Sequence, residues 1–334
     1  MEPIRIPPQP VSPPVIEVRA SARAAAERLA EDARHGLSGD FKELPPKYFY
    51  DERGSRLFEQ ITELAEYYPT RAERAILALH SDAIVAAADF PGELVELGSG
   101  SATKTRALLD AMRDAGCLDG YVPVDISEQI SRETAAAIGA EYPGIAVHGV
   151  VCDFEHDLED LPARGDRIIA FLGGTIGNFA PPERRAFLRR LAALMGDRDV
   201  LLLGTDLVKD ADALELAYDD PGGVTAEFNK NVLRVLNREL GADFDLDAFE
   251  HVARFDIANQ RIDIRLRSVR AQRVVLTGLD LAVDFEAGEE MRTELSCKFT
   301  EASLRRAYHE AGLELVELWT DPEGRFALSL ARAS

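Results

Sequence analysis

Between residues 93 and 206 the chain repeats one pattern, and that pattern limits its fold more than anything else in it. Five short apolar runs, Glu93–Leu97, Gly120–Asp125, Ile145–Asp153, Arg167–Leu172 and Asp199–Asp206, alternate with stretches of helical spacing. The helical stretches include Thr103–Ala115, Ser127–Ala140 and Pro181–Met195. A continuous apolar run of this length suits a strand buried on both faces. Strands joined through helices run parallel, so the pattern predicts an α/β fold with helices on both faces of a parallel sheet. Local signals agree: Ser127 is a candidate N-cap, and Pro181 opens the third of these helices. The rhythm lapses over about residues 207–297. Only a helix at Val224–Leu240, an alternating run at Ile262–Leu266 and a strand-like run at Ala271–Val283 stand out there. It resumes with a helix over Thr300–Ala311, capped by Thr300 and stopped by Gly312. Strands at Leu313–Thr320 and Phe326–Ala331 then flank the turn Asp321–Gly324.

The first 20 residues, with MEPIRIPPQPVSPPVIEV at their head, read as a flexible Pro-rich arm. A helix is expected over Ser21–Arg34, with Ser21 as N-cap, and another over Arg71–Ala88. Between them lie Tyr48, Phe49, Tyr50 and Phe58, and then Tyr67-Tyr68-Pro69-Thr70. Five parallel βα units followed by a helix and a terminal hairpin match the layout of the class I S-adenosylmethionine (SAM) dependent methyltransferases, which are Rossmann-like. On that layout residues 71–206 with 299–334 form the SAM-binding domain. Residues 21–70 with 207–298 form a second, α+β domain that binds substrate, its larger part inserted after the fifth strand.

With 334 residues, 46% of them hydrophobic, the chain can bury a large core. A net charge of −21 repels phosphate backbones, so nucleic acid is not an expected partner. Cys117, Cys152 and Cys297 show no paired spacing, which suggests free thiols in a reducing cytoplasm. No apolar run is long enough to span a bilayer. The six histidines form no ligand-spaced pair, and no metal is expected. The protein is expected to act as a monomer.

Ligands of open α/β sheets sit beyond the carboxyl ends of the strands. Gly98-Ser99-Gly100 follows the first strand, where glycine lets the backbone turn and approach a ligand. Asp125 ends the second strand and can accept from ribose hydroxyls. Asp153 and Phe154 end the third, an acid for an adenine amino group and an aromatic to stack on its ring. Gly173 follows the fourth, and Lys104 is placed to meet the cofactor's carboxylate. Each feature alone has a plain alternative as a turn residue, a helix cap or a solvated lysine. Together they favour SAM. The turn GSGSATK lacks the third glycine of a dinucleotide fingerprint, and no P-loop is present.

Six stretches, in order along the chain, are similar to one family. They are YFYDERGSRLFEQITELAEYYPTRAE, LVELGSGSATKTR, FLGGTIGNF, LLLGTDLVKD, NVLRVLNRELGADFDLDAFEH and GEEMRTELSCKF. They resemble the SAM-dependent, histidine-specific Nα-methyltransferases, which convert histidine to hercynine, its trimethylated betaine, at the first step of ergothioneine biosynthesis. The resemblance runs from about residue 21 to the end. It implies that Tyr67, Asn178 and Tyr218 hold the carboxylate and amine of histidine, with Tyr50 close by. It assigns Glu294 and Ser296 to the imidazole, and Gly98, Lys104, Asp125, Asp153, Phe154 and Gly173 to SAM. It places Ile264 against the ring, where mycobacterial members carry methionine. Asn178, Tyr218 and Tyr50 are then the candidate catalytic groups.

The residue types suit this chemistry on their own terms. Methyl transfer to an amine chiefly requires alignment of donor and nucleophile. Imidazole carries two ring nitrogens and needs a partner for each. Glu294 and Ser296, two apart, share a face if they lie on a strand, although an acid-rich loop would read the same. The alternatives are methylation of another aromatic amino acid, such as tryptophan, and SAM binding without catalysis.

Overall fold

The structure, a computed structural model, describes residues 13–19, 22–158 and 161–334. The elements in chain order are β1 (Val15–Val18), α1 (Ala22–Ser38), α2 (Glu52–Glu63), α3 (Tyr68–Ala87), β2 (Glu93–Leu97), α4 (Arg106–Asp114), β3 (Gly120–Asp125), α5 (Glu128–Glu141), β4 (Ala146–Val151), β5 (Arg167–Phe171), α6 (Pro181–Leu194) and β6 (Val200–Asp206). There follow α7 (Ala211–Tyr218), α8 (Val224–Leu240), β7 (Phe249–Asp256), β8 (Arg261–Ser268), β9 (Gln272–Leu276), β10 (Leu281–Phe285), β11 (Glu290–Cys297), α9 (Glu301–Ala311), β12 (Leu313–Thr320) and β13 (Phe326–Ala333).

Eight strands form one sheet in the order β1-β4-β3-β2-β5-β6-β13-β12. All neighbours from β1 to β6 pair in parallel, while β13 is antiparallel to both β6 and β12. Strands β2, β5 and β6 are buried at every position, as their unbroken apolar runs require. The order reverses between β2 and β5, which opens a crevice at their carboxyl ends. Apolar clusters lie on both faces of this sheet. Ser127 caps α5 and Thr300 caps α9, as expected from the sequence.

Several details differ from the sequence reading. The arm is not loose throughout, because Val15–Val18 adds an edge strand beside β4. Short and preceded by prolines, this segment carries little sequence signal of its own. The candidate cap Ser21 lies outside the described residues. The run at Ala271–Val283 is a hairpin of β9 and β10, broken by a tight turn at Thr277–Leu279. Neither α7 nor β7 stood out in the sequence. The first is only eight residues long, and the second has mixed polarity along its length.

A third apolar cluster joins residues from Leu29 to Tyr68 with residues from Leu214 to Met291. Strands β11, β8 and β7 form an antiparallel sheet in it, against which α7 and α8 pack. The aromatic segment is tied to α8 through Asn231. Its buried amide donates to the Phe49 carbonyl at 2.9 Å and to Asp51 at 2.8 Å. Truncation would remove both bonds and leave the Phe49 carbonyl with the Asp51 amide alone, so Asn231→Ala is expected to cost roughly 1–3 kcal/mol in urea unfolding. A change within error would mean that this tie does not hold the segment in place.

Candidate functional site

The turns after the parallel strands build one wall of a cleft of about 1330 Å³. Gly98, Lys104, Asp125, Asp153, Phe154 and Gly173 all line it. Gly98 adopts φ +69°, a left-handed conformation that a side chain would strain. Asp125 accepts from the Gly100 and Ser127 amides, both at 2.9 Å, which fixes its carboxylate across the mouth of the turn. Asp153 accepts from the Glu155 amide at 3.0 Å and pairs with Lys47 at 3.1 Å. Phe154 sits edge-on to Phe171 and Phe187.

Lys104 departs from its expected place. It precedes α4 rather than lying within it, and its ammonium pairs with Glu73 of α3. Glu73 is fully buried and also accepts from the Gly173 amide at 2.8 Å. The same carboxylate thus anchors two cleft-lining groups. Glu96, at the end of β2, accepts from Thr105 and Tyr121 at 2.5 Å, and burial pushes its carboxyl up to about 7.

At its inner end the cleft meets a chamber of about 50 Å³. Tyr50, Phe58, Tyr67, Gly173, Thr175, Asn178 and Glu294 line both spaces. Tyr218, Phe228 and Ser296 line the chamber alone. Two separate bodies of the chain supply these groups. Asn178 ends a tight turn, Thr175–Asn178, just after β5. A side chain at Gly177 would fall 2.8 Å from the Cys297 carbonyl, so only glycine lets this turn lie against β11. Glu294 and Ser296 sit on β11, which is a strand and not a loop, and they share its chamber face. Asn178 donates to Glu294 across the joint. The rings of Tyr50, Phe58, Tyr67 and Phe228 meet edge-on or tilted at centroid distances of 5.4–6.3 Å.

Burial pushes the Glu294 carboxyl up to about 7, against the opposing pull of Lys298 and of the Asn178 hydrogen bond. Burial also raises Tyr50, Tyr67 and Tyr218 well above their ordinary range, so their hydroxyls keep their protons. Ile264 stands opposite Glu294 in the β8–β11 register but lines neither space; it belongs to the apolar cluster behind them.

Four polar residues at the back of the chamber, of which Asp206 is part of its lining, were given no role from sequence. Lys298 contacts Tyr218 Oη at 2.9 Å, Ser296 Oγ at 2.8 Å and Asp206 Oδ2 at 2.7 Å. Tyr218 and Ser296 are themselves 2.8 Å apart. Tyr68 donates to Asp206 and accepts from Lys209, which also pairs with Asp206. Burial alone would raise the Asp206 carboxyl, but Lys298 and Lys209 hold it below its ordinary value. The signal for Lys298 was available: it follows Glu294 and Ser296 at the same two-residue step. Asp206 ends its strand as Asp125 ends β3.

Among the described residues, Asp153, Glu155 and His156 place ligand-type atoms within 4.8 Å of one another, but Asp153 is already engaged by Lys47. No helix among those residues is long and apolar enough to cross a membrane.

A family model described as "Histidine-specific methyltransferase, SAM-dependent" matches residues 29–333. The chain is 55% identical to the histidine N-alpha-methyltransferase of Mycolicibacterium smegmatis, over 93% of this chain and 97% of that protein. It is 35% identical to ergothioneine biosynthesis protein 1 of Schizosaccharomyces pombe, over 64% of this chain but 29% of that longer protein. It is 30% identical to an L-tryptophan methyltransferase of Psilocybe serbica, over 87% and 88% of the two chains.

Glu294 gives the site a signature in stability. Its carboxyl rises from 4.5 to about 7 on folding, so the folded protein holds a proton that the unfolded chain releases in that window. Raising the pH through the window must cost stability, roughly 1–3 kcal/mol. Relative to Glu294→Gln, the wild type is expected to lose that amount between about pH 5 and about pH 8 in urea unfolding. A pH-independent difference would contradict a carboxyl whose burial outweighs the pull of its partners.

Proposed function

The chain belongs to the SAM-dependent, histidine-specific methyltransferases, and from that premise we propose that it trimethylates the α-amine of L-histidine to hercynine, at the first step of ergothioneine biosynthesis. One observation carries the substrate assignment: a carboxylate, Glu294, and a hydroxyl, Ser296, share the wall of a small chamber that opens into the cofactor cleft. An imidazole uses both, whereas an indole has one donor and leaves a buried group unpaired.

The cleft residues fit SAM. Asp125 would take the ribose hydroxyls, Asp153 and Phe154 the adenine, and the glycine turns at Gly98 and Gly173 the close approach of backbone to ligand. Lys104, held by Glu73, would face the cofactor's carboxylate from a fixed position. SAM supplies a methyl group already bound to a sulfonium leaving group, and this reading includes no metal.

The residues of the chain then have to orient an amine. Asn178, Tyr67 and Tyr50 lie where the chamber joins the cleft, and in this reading they hold the amino and carboxylate groups of histidine. Tyr218 was expected among them, but its hydroxyl rests on Ser296 and joins the ring end instead. A free α-amine titrates near roughly 8, so an appreciable neutral fraction exists without a strong base. The aromatic wall of Tyr50, Phe58, Tyr67 and Phe228 excludes water around the attacking nitrogen. A reducing cytoplasm is part of the reading, supported by the three free cysteines, and so is a monomeric state.

Purified protein incubated with SAM and an equal mixture of the standard amino acids should methylate histidine alone and end at the trimethylated form, as read by mass spectrometry. Methylation of tryptophan, or of no amino acid, would overturn the assignment. In calorimetry, Glu294→Ala should weaken histidine binding by at least about tenfold, a loss near 1.4 kcal/mol, and leave SAM binding within about twofold. Equal loss of both ligands would remove Glu294 from the ring pocket.

A further inference from the structure

Lys298 has no solvent exposure along its side chain, and all three of its N–H bonds have partners. An ammonium donates and cannot accept. The oxygens of Tyr218 and Ser296 are therefore both acceptors toward Lys298, and each hydroxyl proton must point elsewhere. The two oxygens lie 2.8 Å apart, so one hydroxyl donates to the other. Either hydroxyl could donate to the other, and the greater acidity of the phenol favours Tyr218 as the donor to Ser296. A serine oxygen has two lone pairs. Lys298 takes one and Tyr218 the other, and only the O–H of Ser296 remains for the chamber.

We propose that Lys298 is a positioning residue that turns Ser296 into an obligate hydrogen-bond donor, so that the chamber reads a ring with one N–H and one bare nitrogen. The inference rests on the assignment of this chamber to the substrate ring. Glu294 is the acceptor for the N–H, and Ser296 is the donor to the bare nitrogen. A ring with two N–H groups meets a second proton at Ser296. A ring with no nitrogen leaves both Glu294 and Ser296 unpaired. Without Lys298 the serine and tyrosine hydroxyls regain free lone pairs and can turn either way, and the chamber loses this discrimination. The counter-charge is already in place, since Asp206 holds Lys298 from the opposite side.

The test compares two ligands of the same shape, L-histidine and 3-(2-thienyl)-L-alanine, whose five-membered ring lacks nitrogen. Their dissociation constants are measured by calorimetry in the presence of S-adenosylhomocysteine, for the wild type and for Lys298→Met. The wild type should prefer histidine strongly. In K298M histidine binding should weaken by at least tenfold while thienylalanine and the cofactor product stay within threefold. In turnover the KM for histidine should rise more than kcat falls. Asp206→Asn combined with K298M removes both charges of the buried pair together and serves if K298M alone does not fold; it should show the same loss of preference. Ser296→Ala should lose the preference too, and adding S296A to K298M should cost little more, because Lys298 acts through Ser296. A preference that survives both Lys298 variants within threefold, or effects of K298M and S296A that simply add, would overturn the proposal. A wild type with no preference for histidine would instead overturn the ring assignment itself.

Discussion

The buried ion pair between Asp206 and Lys298 is the contact on which the site depends. Asp206 ends β6 of the large sheet, and Lys298 directly follows β11 of the smaller one, with 2.7 Å between their charged atoms. Main-chain bonds run beside it, from Phe299 to the Asp206 carbonyl and from Val208 to the Phe299 carbonyl. Removing one partner of such a pair leaves an uncompensated charge, so neither residue is free to vary alone. Tyr68 and Lys209 complete the shell around Asp206. The pair fixes β11 at the carboxyl edge of the parallel sheet, and with it Glu294 and Ser296 beside the turn that carries Asn178. The chamber exists because two bodies meet there, and the ion pair holds them in register.

Much of this was legible in the sequence, and the reasons are physical. Strands buried on both faces write continuous apolar runs, so β2 and β3 were readable to the residue and β6 nearly so; β12, a half-exposed edge strand, was readable from the Gly312 stop before it and the Asp321–Gly324 turn after it. Residues at the carboxyl ends of those strands were readable as ligand groups because open α/β sheets bind there. Asp125, Asp153 and Gly173 all line the cleft. The smaller body was harder. Its strands β7, β9 and β10 alternate or shorten, and a single strand-like run hid a hairpin. Periodicity also says nothing of which distant residue meets which. Glu73 binding Lys104, Lys47 binding Asp153 and Asp206 binding Lys298 are contacts across the chain, made by tertiary folding alone.

The pairing of Glu294 with Ser296 required the resemblance to separate it from an acid-rich loop, and its strand geometry then supports that choice. Ile264 shows the opposite case. A residue carried over by position alone sits across from Glu294 yet behind the cavity wall. The relationship to an L-tryptophan methyltransferase fits the same view. The scaffold is shared, and on the proposed reading ring choice belongs to the few polar groups at the chamber's end.

The most direct test is the protonation state of the bound ring. Histidine labelled with ¹⁵N in the imidazole would be bound with S-adenosylhomocysteine and observed by long-range ¹H–¹⁵N correlation at neutral pH. A chamber with Glu294 as acceptor and Ser296 as donor holds the neutral ring, so one nitrogen should appear protonated and the other bare, without averaging between the two. Two protonated nitrogens would show that Ser296 accepts rather than donates and would contradict the account.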